Sequence, residues 1–250
     1  MRIKWHIEPT DVSAVKALYD RMHSNFVVQE RIERNLKGNR SRRFSRADFW
    51  HAHVACLLTT QQRSGPDSPV NNLVTSKPFP LHLRKCREQG VHKLFQKVLS
   101  DHGGIRRGKT ITEQANHNLI WLEDGGWRDV ELLFGSLVTE SNPDLERSAA
   151  RQSSKWFRGF GPKQSRNLLQ ALGLTKYEIP LDSRITKWLN ANGFPIKLTA
   201  SALGDDAYYE FIMDGIKELC ARAGLFPCIF DAMVFASFDK GTWTKKNLMW

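Results

Sequence analysis

The chain has 250 residues, 41% of them hydrophobic and 25% charged, a composition that folds around a core and excludes a disordered chain. Its formal net charge is +11, from 37 Lys plus Arg against 26 Asp plus Glu. That excess favours a polyanionic partner through phosphate neutralisation and counterion release, with nucleic acid ahead of an anionic membrane surface, because no basic amphipathic helix with a clean apolar face stands out.

Helical spacing recurs along the chain and alternating β-branched runs are scarce, which predicts an all-α fold of about ten helices. The start, Met1-Arg2-Ile3-Lys4-Trp5-His6, lacks an apolar leader core. The most apolar stretch, residues 225–238, is interrupted by Pro227 and Asp231, so no membrane span is expected. Location in the cytoplasm on the nucleoid follows as the expectation, or in the nucleus where there is one. Residues 31–50 then carry seven basic side chains, Arg42 and Arg43 among them, around Gly38, Asn39 and Ser41. This is either a phosphate-contacting arm or a solvated loop.

Ser45 with Asp48 three residues on, and Thr110 with Glu113, have the form of capping boxes. Ser68-Pro69 and Asn142-Pro143 place proline at a first helical position. His51 and His53 point to different sides of the helix opened at Ser45, and no further ligand stands at useful spacing, so no metal is predicted. Cys56, Cys86, Cys220 and Cys228 are too widely spaced to hold an iron–sulfur cluster and are expected as reduced thiols.

The most informative stretch begins where a helix from Pro143 should end near Phe157. Gly159-Phe160-Gly161 follows, and Pro162 opens the next helix, giving a helix-hairpin-helix over about 143–172. Glycines there admit positive φ and a close ligand, and the amides of the helix N-terminus point outward with the helix dipole behind them, a device for gripping phosphate. A tight turn alone would have the same glycines. Lys163 lies in the first turn of that helix. Asp182, in Pro180-Leu181-Asp182-Ser183, is placed to cap a further helix 182 − 163 = 19 residues later. One helix and a return loop fit that gap and bring the two side chains together.

Gly159-Phe160-Gly161-Pro162-Lys163 followed by Pro180-Leu181-Asp182 resembles the helix-hairpin-helix DNA glycosylases, the family of endonuclease III and the 8-oxoguanine DNA glycosylases. The match is close over about 156–189 and elsewhere extends only to all-α character. It implies Lys163 as amine nucleophile and Asp182 as the essential carboxylate of a base-excision glycosylase with abasic-site lyase activity. It also implies two helical domains, 46–178 and 1–45 plus 179–250, with the active site in the cleft between them. Gly159, Phe160 and Gly161 would hold DNA. Gln61, or alternatively Gln62, resembles the glutamine that fills the gap left by an extruded base, although an ordinary helix end has the same look.

One turn beyond Lys163, Arg166 and Asn167 are candidates for contact with the flipped base. Phe230 on the last helix is the candidate aromatic wall. The resemblance implies no cofactor beyond a monovalent cation at the hairpin. The expected partner of this monomer is duplex DNA with a damaged base; lacking the cysteine cluster, the chain sits nearer the 8-oxoguanine branch, with oxidised pyrimidines open. A monofunctional glycosylase using Asp182 and water, and a non-enzymatic DNA-binding module, are the alternatives.

Overall fold

The computed structural model describes residues 4–38 and 45–249; Arg42 and Arg43 lie outside the described residues. Among the described residues the regular structure is all helical, without strands. In chain order the helices are α1 Pro9–Met22, α2 Phe26–Arg31, α3 Arg46–Leu58, α4 Pro69–Thr75, α5 Leu83–Gln89, α6 Val91–His102, α7 Gly108–Trp121, α8 Trp127–Thr139, α9 Pro143–Trp156, α10 Pro162–Ala171, α11 Ser183–Ala191, α12 Asp206–Ala223 and α13 Pro227–Phe238. No single one is long and apolar enough to cross a membrane.

Capping chemistry explains most of the starts. Ser45 and Asp48 form the reciprocal box at α3, Ser68 caps α4 ahead of Pro69, and Asn142 caps α9 ahead of Pro143. The start expected at Thr110 is displaced: α7 begins at Gly108, after Arg107 in a left-handed conformation. Thr110 therefore lies inside the helix rather than at its cap, and the next hydroxyl, Thr112 Oγ1, donates to the Gly108 carbonyl at 2.8 Å.

Two hydrophobic clusters form the core. The first gathers α3 to α10 around Phe49, Trp50, Phe95 and Phe134. α3 runs through its middle, buried on nearly every side. The second is built from both ends of the chain: α1 packs on α12 and α13, and α2 on α13, around Tyr209 and Phe230. Each such fully buried ring contributes about 1.5–3 kcal/mol by leaving water. The four cysteines are free and buried, and burial pushes the Cys86 thiol up to about 11, leaving little thiolate at neutral pH.

Candidate active-site cleft

α9 and α10 are joined by a turn whose shape is fixed from several sides. Gly159 has φ +85°, and a Cβ there would lie 2.6 Å from the Gln114 side chain and 2.8 Å from Leu57 Cδ2, so the glycine is required by both conformation and space. The Arg158 amide donates to Asn118 Oδ1 at 2.8 Å and its carbonyl accepts from Asn118 Nδ2 at 3.0 Å. The same Nδ2 lies 2.9 Å from His53 Nε2, and His53 stacks on Phe160 with ring centroids 4.5 Å apart. Burial depresses the imidazole to about 3, keeping it neutral. Gly161 differs: it is exposed, its φ is ordinary, and a Cβ would meet nothing within 4 Å. Neither backbone nor neighbours demand glycine there, and its absent side chain leaves the start of α10 open.

Lys163 stands in that first turn, half-buried, near enough to Cys56 to influence its thiol. Among the described residues it makes no ion pair. Gln164 Nε2 donates to the Cys56 carbonyl at 2.7 Å and to Thr60 Oγ1 at 2.6 Å, locking α10 to the end of α3.

The return loop is held by a buried carboxylate from the other side of the turn. Glu146 of α9 accepts from the amides of Lys176, Tyr177 and Glu178 at 2.9, 2.8 and 3.0 Å and from Thr175 Oγ1. Burial pushes its carboxyl up from the ordinary value against these bonds. Tyr209 OH donates to the Ile179 carbonyl at 2.9 Å and accepts from the Leu181 amide at 2.6 Å. So fixed, the loop delivers Asp182 to the start of α11, where Oδ1 accepts from the amides of Arg184 and Ile185 at 2.7 and 3.1 Å. Oδ2 faces Arg184 Nη1 at 2.9 Å.

Lys163, Asp182, Asn167, Gln61, Gly159 and Gly161 all line one cleft of about 1060 Å³. Gln61 is exposed with φ +56°, a left-handed conformation that is unfavourable for a non-glycine residue. Gln62 is occupied instead: its Oε1 accepts from the Arg106 amide at 2.8 Å and its Nε2 bonds the Leu58 carbonyl.

Three expected contacts are corrected. Arg166 is 2% exposed; it donates to Glu178 at 2.5 Å and lies 4.4 Å over the Tyr209 ring, because Glu178 is fully buried and needs cations around it. Although burial opposes ionisation, Arg166, Lys217 and Arg147 hold the Glu178 carboxyl below its ordinary value. Phe230 is wholly buried against Trp188 and leaves the wall of the cleft to Phe235. Phe160 turns its ring into the core beside His53, so only its backbone is available at the turn.

Several lining residues went unread in the sequence. Phe235 carries Arg184 over its ring at 4.5 Å. Asp231, one turn before it on α13, bonds Arg31 Nη1 at 3.2 Å and Gln170 Nε2 at 2.8 Å, with burial pushing its carboxyl up. A lone acid in a twelve-residue apolar helix was the available signal. Arg34 is brought down to about 10 by burial and by Arg31. Arg63, Lys163, Lys187 and Lys240 line the cleft and form no ion pair among the described residues. No protein-family model, curated protein or solved structure matches the chain.

Proposed function

We propose that the chain is a base-excision DNA glycosylase with an associated abasic-site lyase activity, resembling the helix-hairpin-helix family. The observation that carries this reading is the meeting in one cleft of an amine without an ion-pair partner among the described residues, Lys163, and a helix-capping carboxylate, Asp182, beside an open glycine turn. In this reading α9, the turn and α10 are the helix-hairpin-helix, the two core clusters belong to two domains, 46–178 and 1–45 plus 179–250, and the cleft is their junction.

A duplex hides the sugar carbon C1′, so the nucleotide must first be extruded, most easily when its base is damaged or badly paired. Gln61, which lines the cleft, fills the gap. The amides at the start of α10 hold a phosphate, with the unpaired cations of the rim taking its neighbours. Lys163 Nζ, in its neutral form, attacks C1′; the C1′–N bond breaks and the base leaves with the electron pair and a proton. Asp182 stabilises the positive charge that develops on the sugar. The sugar ring then opens, the C1′–O4′ bond breaking and O4′ taking a proton as the lysine nitrogen forms an imine with C1′; loss of a proton from C2′ and β-elimination of the C3′–O bond break the strand on the 3′ side.

Within the turn, the carbonyls of Phe157, Arg158 and Gly161 already accept protein donors. The carbonyls of Gly159 and Phe160 would hold the monovalent cation that the family resemblance implies, which would supply positive charge beside a DNA phosphate. Oxidised guanine is the favoured substrate.

Borohydride trapping on duplexes carrying 8-oxoguanine, oxidised pyrimidines, uracil or an abasic site tests the reading. A covalent adduct present with the wild type and lost in Lys163→Gln supports it. Base release without an adduct would leave a monofunctional glycosylase, and binding without either would leave a DNA-binding module.

A further inference from the structure

Beyond α13 the chain turns back across the cleft. Asp239 lies 3.5 Å from Arg184 Nη2 on the side of the second cluster. The backbone then passes the 64–67 turn, where a Cβ on Gly241 would come within 2.9 Å of Pro66. At the far end Asn71 Nδ2 donates to the Asn247 carbonyl at 2.7 Å, and Met249 packs against the first cluster. Residues 239–249 are therefore a strap from one core to the other.

Trp243 sits midway along it and lines the same cleft as Lys163 and Asp182. Its ring lies 5.6 Å from that of Phe235, tilted by 59°. Its indole Nε1–H is closed off from solvent and has no acceptor among the described residues. Tryptophan N–H groups in such positions are ordinarily bonded, and an orphaned donor in a cleft wall is explained when the acceptor arrives with the ligand. Indole is a donor only, so it selects an oxygen or an unprotonated ring nitrogen and rejects an N–H at that point.

We propose that Trp243 determines specificity in this cleft: it closes the wall over the extruded base beside Phe235 and, as the strap shifts to admit the base, donates its indole N–H to a carbonyl oxygen of that base. The substrate class is then a base that presents a carbonyl oxygen at that point, as oxidised guanine does, rather than one that presents an amino group there, as an alkylated adenine does. This inference rests on the glycosylase reading. It goes beyond it, because neither the hairpin nor the lysine–aspartate pair says anything of the strap.

Single-turnover base release from duplexes carrying 8-oxoguanine or 3-methyladenine, beside cleavage of a preformed abasic duplex, tests it in the full-length protein. The wild type should release 8-oxoguanine and not 3-methyladenine. Trp243→Phe keeps a ring and removes the donor; it should lower base release about tenfold more than it lowers abasic-site cleavage, and Trp243→Ala should widen that ratio. Equal loss of both activities would make the strap a structural tie only and overturn the proposal, as would unchanged rates or preferential release of 3-methyladenine. A wild type that acts on none of the duplexes would overturn the glycosylase reading, and the role of Trp243 with it; the other failures leave that reading standing.

Discussion

His53 shows how a single residue serves the cleft without entering it. Its ring is fully buried, braced by Asn118 and stacked on Phe160, and so it underlies the turn that places Lys163. Burial depresses its folded value to about 3 from 6.5. The unfolded chain therefore binds a proton below pH 6.5 that the folded chain refuses until about pH 3. The stability contributed by this group is whole above pH 6.5 and is lost as pH falls toward 3, at up to about 1.4 kcal/mol per pH unit. Urea unfolding at pH 7 and pH 5 should show about 2 kcal/mol of loss from this residue, absent in His53→Gln. An equal pH dependence in both proteins would contradict a neutral buried ring. Nothing in the sequence distinguished His53 from His51, since both fall on one helix; only the packing of α3 against α7 and the turn buries one and leaves the other at 2.9 Å from the Val74 carbonyl.

At the scale of elements, caps were legible and faces were not. Ser45, Ser68, Asn142 and Asp182 announce their helices because a cap is a local hydrogen bond, made within three residues. The short helices α2 and α5, of 6 and 7 residues, give too few turns for a period to show, one reason that thirteen helices stand among the described residues where about ten were expected. On α13 the residues are apolar all round, so periodicity could not say whether Phe230 or Phe235 faces the cleft; packing against α11 decided it. The loop that carries Asp182 depends on Glu146, a long-range partner without sequence signal. Glu146→Gln turns one acceptor oxygen into an amide NH2, a donor facing donors. It should destabilise the protein by about 3 kcal/mol, read as a lower urea midpoint, and reduce trapping on an abasic duplex by displacing Asp182. A stability equal to wild type would show that the loop holds itself.

For the whole molecule, the net charge of +11 gains a location: Arg63, Lys187 and Lys240 line the cleft without ion pairs. Binding to undamaged duplex, followed by fluorescence anisotropy, should weaken linearly in log affinity against log salt, by about 0.9 per phosphate neutralised. Lys187→Ala should reduce that slope by about one contact, and a salt-independent affinity would remove the polyanion from the account. The division of the core has a further consequence, for synthesis. α1 and α2 are made before the other helices described, yet the partners that cover their apolar faces, α12 and α13, come roughly 200 residues later. At 5–20 residues per second that is a wait of about 10–40 s. Helices α3 to α10 emerge with their partners close behind and can pack during that interval. The nascent chain should therefore hold one finished core while its first two helices still lie uncovered, the period in which it is most exposed to proteases and to association with other chains.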